Sequence, residues 1–467
     1  FSKAPAVDGT MVGTHLESPE DIKSMPYFPT GTKSILCKCL TPDVWEKCKD
    51  KKDKFGYTFK QAIFSGAKWT NSGIGVYAGS HDSYYAFAPL MDKLIEQYHG
   101  HKPTDKHISS MDYKLLNCPP FPADEDKMIN STRIRVARNL AAYPLGTAVT
   151  RKERLEIEKL VTSALAEFDG ELKGKYYSLA KMTANEKNSL INDHFLFKGG
   201  DKYLQSAGLE REWPKNRGIF HNDAKTFLVW VNEEDQLRII SMQQGSNILE
   251  VFKRLSIAAG KIEEKAKFAN DEHLGYISNC PTNLGTGLRA SVHINLPKLM
   301  KNPGLMNSIA DKYHVQIRGI HGEHTESDDG VFDISNLRRL GRNEVDLVQD
   351  MYDGVKAMID ADGTEIVMPA VPVTAQASAR QQWLDEAPKG PWPGPKNGGS
   401  MRSVTGAYKA WSAKKYAKVA SVTAYKGGGK VELCCATRVK KGVLIGSDNE
   451  EGDSELEILE DCDKCPF

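Results

Sequence analysis

Through the first hundred residues, apolar positions recur every three to four residues, the spacing of a helix with one buried face. Residues 42–50 (PDVWEKCKD), 58–66 (TFKQAIFSG) and 88–100 (APLMDKLIEQYHG) all follow it, and glycines and prolines punctuate the runs as helix ends. The pattern predicts a small all-α domain within residues 1–104, its first residues a flexible tail. Residues 105–127, rich in Pro, Asp and Lys, lack the repeat and read as a linker. Then the period changes. Residues 226–231 (TFLVWV) and 237–242 (LRIISM) are apolar runs separated by the acidic turn 232–235 (NEED), which predicts a hairpin. Residues 151–168 and 246–268 return to helical spacing with charged outer faces. Residues 128–362 therefore mix strands and helices in a second, larger domain. Beyond them, 363–467 hold a Pro-, Ala- and Gly-rich linker (368–400), a basic run, two alternating runs around Gly427–Gly429 and an acidic end. This extension has no assigned fold. It reads as a small β module or a docking tail for a protein partner.

Composition narrows the function classes. A hydrophobic content of 40% and a charged content of 26% are those of a globular protein. Lys+Arg of 62 against Asp+Glu of 61 leaves a net charge of +1, which argues against nucleic-acid binding by bulk charge. No apolar run approaches the ~20 residues that span a bilayer, so no membrane partner is expected. Nine cysteines, an odd number, do not suggest a disulfide scaffold, and a reducing, cytoplasmic setting is expected. Cys462 and Cys465 form a single C-x-x-C, which lacks the second pair that a metal site needs. The opening FSKAPAVDGT has no apolar segment and does not read as a signal peptide.

The stretch richest in chemistry is residues 280–293, CPTNLGTGLRASVH. Pro281 ends a preceding strand, Gly285 and Gly287 permit a sharp turn, and Cys280 and Arg289 flank it. Such a loop can present a thiol, backbone N–H groups and a guanidinium to an anion. It is neither a Walker loop nor a dinucleotide fingerprint. In residues 130–138 (NSTRIRVAR) an extended chain puts Arg133 and Arg135 on one face, where they repel each other unless an anion or water intervenes. Read alone, that strand is an exposed edge, the turn acids Glu233, Glu234 and Asp235 are solvated, and Trp230 is core.

Taken together, these segments resemble the phosphagen (ATP:guanidino) kinases, most closely the arginine kinases, in order and without a large gap from about Thr14 to Asp362. The resemblance implies an α+β fold: a small all-α N-terminal domain, then a larger domain with an antiparallel β-sheet flanked by helices. It implies reversible phosphoryl transfer from MgATP to the guanidino group of L-arginine, with ATP/ADP and Mg²⁺ as cofactors. It assigns Ser131, Arg133, Arg135, Arg238, Arg289 and Arg318 to the phosphates and His194 to the nucleotide, with Asp333 and Arg339 lining its pocket. Ser72, Gly73 and Val76, through their backbone groups, and the Tyr77 hydroxyl would hold the substrate's amino-acid end. Glu234 and Glu323 would flank the guanidino group. Cys280, as a thiolate favoured by neighbouring N–H groups and cations, would add negative charge beside the reacting nitrogen. His321 stands where many arginine kinases have arginine. No protein metal ligands are implied, since Mg²⁺ would be held by phosphates and water. A monomer or a homodimer is expected. The rival readings are a kinase of taurocyamine or lombricine, and a scaffold that keeps the fold and docks through its C-terminal extension.

Overall fold

The computed structural model describes residues 9–319 and 330–363, together with four strands between 419 and 458. The chain divides into two compact units, residues 1–365 and 366–467.

The first unit opens with five helices: α1 (Ile35–Cys39), α2 (Pro42–Cys48), α3 (Phe59–Lys68), α4 (His81–Ala86) and α5 (Ala88–His99). Their starts are written locally. Ser34, Thr41, Thr58 and Ser80 each accept a backbone N–H of the first turn, and Pro42 and Pro89 occupy positions that need no donor. Gly100 ends α5 in the left-handed conformation. The apolar stripes meet in one core containing Leu36, Val44, Phe59, Ile63, Phe87 and Leu94. The predicted helical domain is present.

The second part is built on eight strands: β1 (Ile129–Arg138), β2 (Gly174–Ser178), β3 (Gly218–Asn222), β4 (Phe227–Val231), β5 (Leu237–Gln244), β6 (Leu288–Asn295), β7 (Val315–Gly319) and β8 (Val331–Asn336). Their order is β7-β8-β6-β1-β5-β4-β3-β2, with every neighbouring pair antiparallel. The hairpin through residues 232–235 is β4–β5. The strand bearing Arg133 and Arg135 is not an edge: β1 lies in the middle, paired with β5 on one side and β6 on the other.

Register decides what each face carries, because residues paired across an antiparallel sheet point the same way. Ile134, Val136, Ile239, Ala290, Val292 and Ile334 face a core completed by helices α6 (Arg151–Ala166), α7 (Ile248–Lys265), α8 (Pro303–Tyr313) and α9 (Glu344–Gly363). On β1, β6 and β8 most alternate residues are polar and face away, while Leu228, Trp230 and Ile240 of β4 and β5 form a second apolar cluster on that side. At the end of β1, Arg138 is 1% exposed and lies 3.4 Å from the carboxylate of Glu344, itself fully buried. Its guanidinium also stacks 3.4 Å over the Tyr276 ring and donates to the Thr286 carbonyl (2.7 Å). The predicted linker is pinned rather than loose. Leu116, Cys118 and Phe121 enter the larger core, and the Ser110 N–H donates to Glu344 (2.7 Å).

In the second unit, Val419–Ala424, Lys430–Cys435, Gly442–Gly446 and Ser454–Ile458 (β9 to β12) form a sheet of order β9-β10-β12-β11, in which β10 and β12 run parallel. Cys462 and Cys465 lie outside the described residues. No described helix is long and apolar enough to cross a membrane.

Removing Arg138 strands the Glu344 carboxylate in the core. Arg138→Met should therefore lose about 3–5 kcal/mol of unfolding free energy in a urea titration. An unchanged midpoint would show that the pair adds nothing to stability.

Candidate active site

The polar face of the sheet gathers the arginines that the sequence scatters over two hundred residues. Arg135 pairs directly with Arg289 on β6, while Arg133 pairs with Ser291. On β5, Arg238 pairs with Ala137 of β1 and with Trp230 of β4. Arg318 on β7 faces Asp333 on β8, and Asp333 faces His293 on β6. Each of these residues points to the same side. Ser131, opposite His293, joins them.

Little negative charge compensates them. Asp333 binds Arg289 (2.7 Å), and Glu233 and Glu234 bind the two ends of Arg238 (3.1 and 2.9 Å). Burial, then the charges of Arg289 and Arg238, push Arg133 down to about 10. Arg135 falls well below the usual arginine range, through burial and then Arg238, Arg133, Arg289 and Arg339. A guanidinium stays charged at neutral pH, so these shifts record burial together with a mutual repulsion, both of which an anion would offset. Arg339, also lowered by burial, donates to the Thr282 carbonyl (2.8 Å) and joins the group. Trp230 is not simply core: the guanidinium groups of Arg133 and Arg238 lie 5.7 and 5.5 Å from its ring centroid. Its indole N–H donates to the Phe195 carbonyl (2.7 Å), which fixes the residue after His194 over this face. His194 is exposed and near enough to His293 to influence its titration.

Beside the arginines lies an acid-and-thiol pocket. The turn 232–235 is not solvated: Asp235 is 1% exposed, and Glu233 and Glu234 are largely buried. Asp235 Oδ1 accepts from Asn139 Nδ2 (2.7 Å), Ser278 Oγ (2.8 Å) and Asn279 Nδ2 (3.0 Å). Asn279 Nδ2 also donates to the Glu234 carbonyl (2.7 Å). One buried carboxylate thus ties the turn bearing Glu234 to the loop ending in Cys280. Beyond Cys280, His99 hydrogen-bonds the Pro281 carbonyl (2.8 Å). Gly285 takes φ +86°, and a Cβ there would lie 2.6 Å from Leu340 Cα, so only glycine fits.

Cys280 is buried and contacts Thr282 Oγ1 at 3.1 Å. The expectation of a favoured thiolate is not met in the ligand-free site. Burial, then the charge of Glu234, push the thiol up to about 12 despite the bond from Thr282. The substrate end sits beside it. The Ala78 N–H donates to the Asn279 carbonyl (2.8 Å), and the Tyr84 hydroxyl to that of Ser278 (2.7 Å). Tyr77 and Val76 are buried, and Gly73 is exposed. The Ser72 N–H donates to the Trp69 carbonyl (2.9 Å). Glu323 and His321 lie outside the described residues. Asp235 and Arg339 are what sequence reasoning undervalued. The only signal for Asp235 was its place beside Glu234.

Comparison with known proteins agrees with this geometry. The family described as ATP:guanido phosphotransferase matches through its N-terminal domain at residues 30–96 and its C-terminal catalytic domain at 156–364. The chain belongs to that family. An arginine kinase of Penaeus vannamei is 48% identical over 71% of this chain and 93% of its own length. An arginine kinase of Anthopleura japonica is 51% identical over 74% of this chain, which spans only 50% of that longer protein. Among solved structures, a lombricine kinase aligns with a TM-score of 0.68 at 37% identity, covering 74% of this chain and 96% of that one. The helical domain followed by an eight-stranded antiparallel sheet is the arrangement expected of a phosphagen kinase.

Glu234 gives this site a pH signature. Burial outweighs the pull of Arg238, and with Asp235 and Glu233 lifts the carboxyl from an ordinary 4.5 to about 7. The folded, ligand-free protein then holds a proton that the unfolded chain releases. Its contribution to stability is full below about pH 4.5 and is lost as pH rises through about 7. His99 and His107, lowered by burial to about 4, act in the opposite sense over the same range in any variant that keeps them. The test is therefore a difference: the thermal stability of the ligand-free protein minus that of Glu234→Gln should decline across pH 4.5–7. An identical pH profile for the two proteins would refute the assignment.

Proposed function

We infer that this chain catalyses reversible transfer of a phosphoryl group from MgATP to the guanidino group of L-arginine, forming phosphoarginine. One observation carries the reading: Arg133, Arg135, Arg238 and Arg289 repel one another on one sheet face, immediately beside a carboxyl and a thiol. The kinship with arginine kinases supports it.

Phosphoryl transfer needs alignment and positive charge more than covalent help. In this reading Arg133, Arg135, Arg238, Arg289 and Arg318 grip the phosphates, with Arg339 as an addition. Arginine suits the task because its planar fork binds two oxygens at once. Ser131 and His194 complete the nucleotide site. Mg²⁺ arriving with the nucleotide would supply further positive charge against the phosphates. The described residues gather no set of three acidic, His or Cys side chains to hold it. In this reading the nucleotide and water carry it.

The acceptor presents the harder problem, since a guanidinium with a pKa above about 12 is a poor nucleophile. Glu234, poised near neutrality, can orient the planar group and accept its proton. A guanidinium placed between Glu234 and Cys280 supplies the positive charge that the empty pocket lacks, which lowers both pKa values. Cys280 then acts through charge and orientation, not as a covalent nucleophile. Glu323 keeps the second carboxylate role that the resemblance gives it. A cytoplasmic setting belongs to the same proposal. The likeness to a lombricine kinase keeps that substrate as the second reading.

Two measurements test this. ADP formation followed optically with arginine, creatine, taurocyamine and lombricine in turn should be fastest with arginine, and no turnover on any of them would remove the kinase reading. Arg289→Ala should cost about 2.7–4 kcal/mol of transition-state stabilisation, a fall of roughly 10²–10³ in kcat. A near-normal kcat would place Arg289 outside the reacting centre.

A further inference from the structure

Tyr77 is where two surfaces meet. On one side the Ala78 N–H donates to the Asn279 carbonyl (2.8 Å), setting Tyr77 against the loop that ends in Cys280. On the other, the Ser65 hydroxyl near the end of α3 donates to the Tyr203 carbonyl (3.0 Å) and accepts from Ser206 (3.0 Å). The Lys202 ammonium lies 4.7 Å over the Trp69 ring, just past the same helix end. Residues 201–206 are thereby docked beside the segment that leads to Tyr77. Burial raises the Tyr77 hydroxyl most, and Cys280, Glu234, Asp201 and Tyr203 all lie near enough to add to it.

This arrangement has a direction. Glu234 and Cys280 mark the guanidino end, so a substrate running past Tyr77 brings its far end to Asp201. Asp201 is exposed, and its bonds to the Tyr203 and Leu204 N–H groups (2.8 and 3.0 Å) both use Oδ1. Among the described residues, Oδ2 is left for a ligand. A carboxylate at that end of the pocket repels a substrate whose tail is only anionic. It attracts one whose tail also carries an ammonium group.

We propose that Asp201 receives the α-ammonium group of the substrate and so selects guanidino compounds that are α-amino acids over those ending in a bare acid. The inference rests on the kinase reading above and adds a specificity residue to it. Asp201 touches the tail and not the reacting atoms, so it should act on affinity more than on kcat.

Calorimetric binding in the presence of saturating MgADP tests the proposal with two ligands: L-arginine and 4-guanidinobutanoate, which is arginine without its amino group. Asp201→Asn keeps the helix cap. It should weaken L-arginine about five- to tenfold, while 4-guanidinobutanoate binds as well as or better than it does to the wild type. Asp201→Ser, which also caps, should reproduce the result, and MgADP affinity should not move. Equal weakening of both ligands, or of neither, would overturn the role of Asp201 while the kinase reading stood. A wild-type protein that binds no arginine would overturn both.

Discussion

Like-charge repulsion on the polar face of the sheet is the constraint to which the rest of the structure answers. Two guanidinium groups about 4 Å apart oppose each other by roughly 4 kcal/mol at an effective dielectric of 20. Here Arg135 has four arginine neighbours acting on it. The chain holds them together because the reverse of the same strands is anchored. Ile134 and Val136 alternate with Arg133 and Arg135, and both are fully buried beneath the helices. Burial of each such side chain is worth about 1.5–3 kcal/mol. The strand cannot slip by one residue without turning arginines into the core and isoleucine to water. Electrostatic discomfort on one side is thus maintained by hydrophobic packing on the other, and a polyphosphate is the ligand that removes it.

A second tension operates within the acids. Glu233 and Glu234 share Arg238, while Asp235, one residue further, turns away to bind Asn139, Ser278 and Asn279. Three consecutive acids therefore have two different tasks. The first two stay with the cation face, and the third braces the turn against the cysteine loop. Burial, which outweighs the pull of Arg238, leaves Glu234 protonated more readily than an ordinary glutamate, and the charges of its two acidic neighbours add to that, a condition suited to a group that must exchange a proton near neutral pH.

Much of this was legible in the sequence, for identifiable reasons. Alternation alone placed Arg133 and Arg135 on one face, and three- to four-residue spacing disclosed the helices of the first hundred residues. Strand order was not legible. Nothing local says that residues 129–138 pair with 237–244 and 288–295, so β1 read as an edge when it is central. The NEED turn read as solvated because an acidic tetrad between strands usually is. Only its partners Asn139, Ser278 and Asn279, which come from distant segments, show otherwise. The thiol was misjudged for a related reason. The arginines near Cys280 are visible in the sequence, but the burial that dominates its titration is not.

The seam between the helical domain and the sheet has one more consequence. Cys280, Ile277, Leu284 and Leu340 belong to the same apolar cluster as Ile74, Val76 and Tyr77, so the thiol's dry surroundings come from both halves of the first unit. A truncation that removed the helices would spare the cation face, yet it would hydrate the sulfur and strip the wall along which an acceptor must lie. The pocket is in that sense joint property: phosphate affinity could outlive the loss of one half, whereas discrimination among acceptors could not.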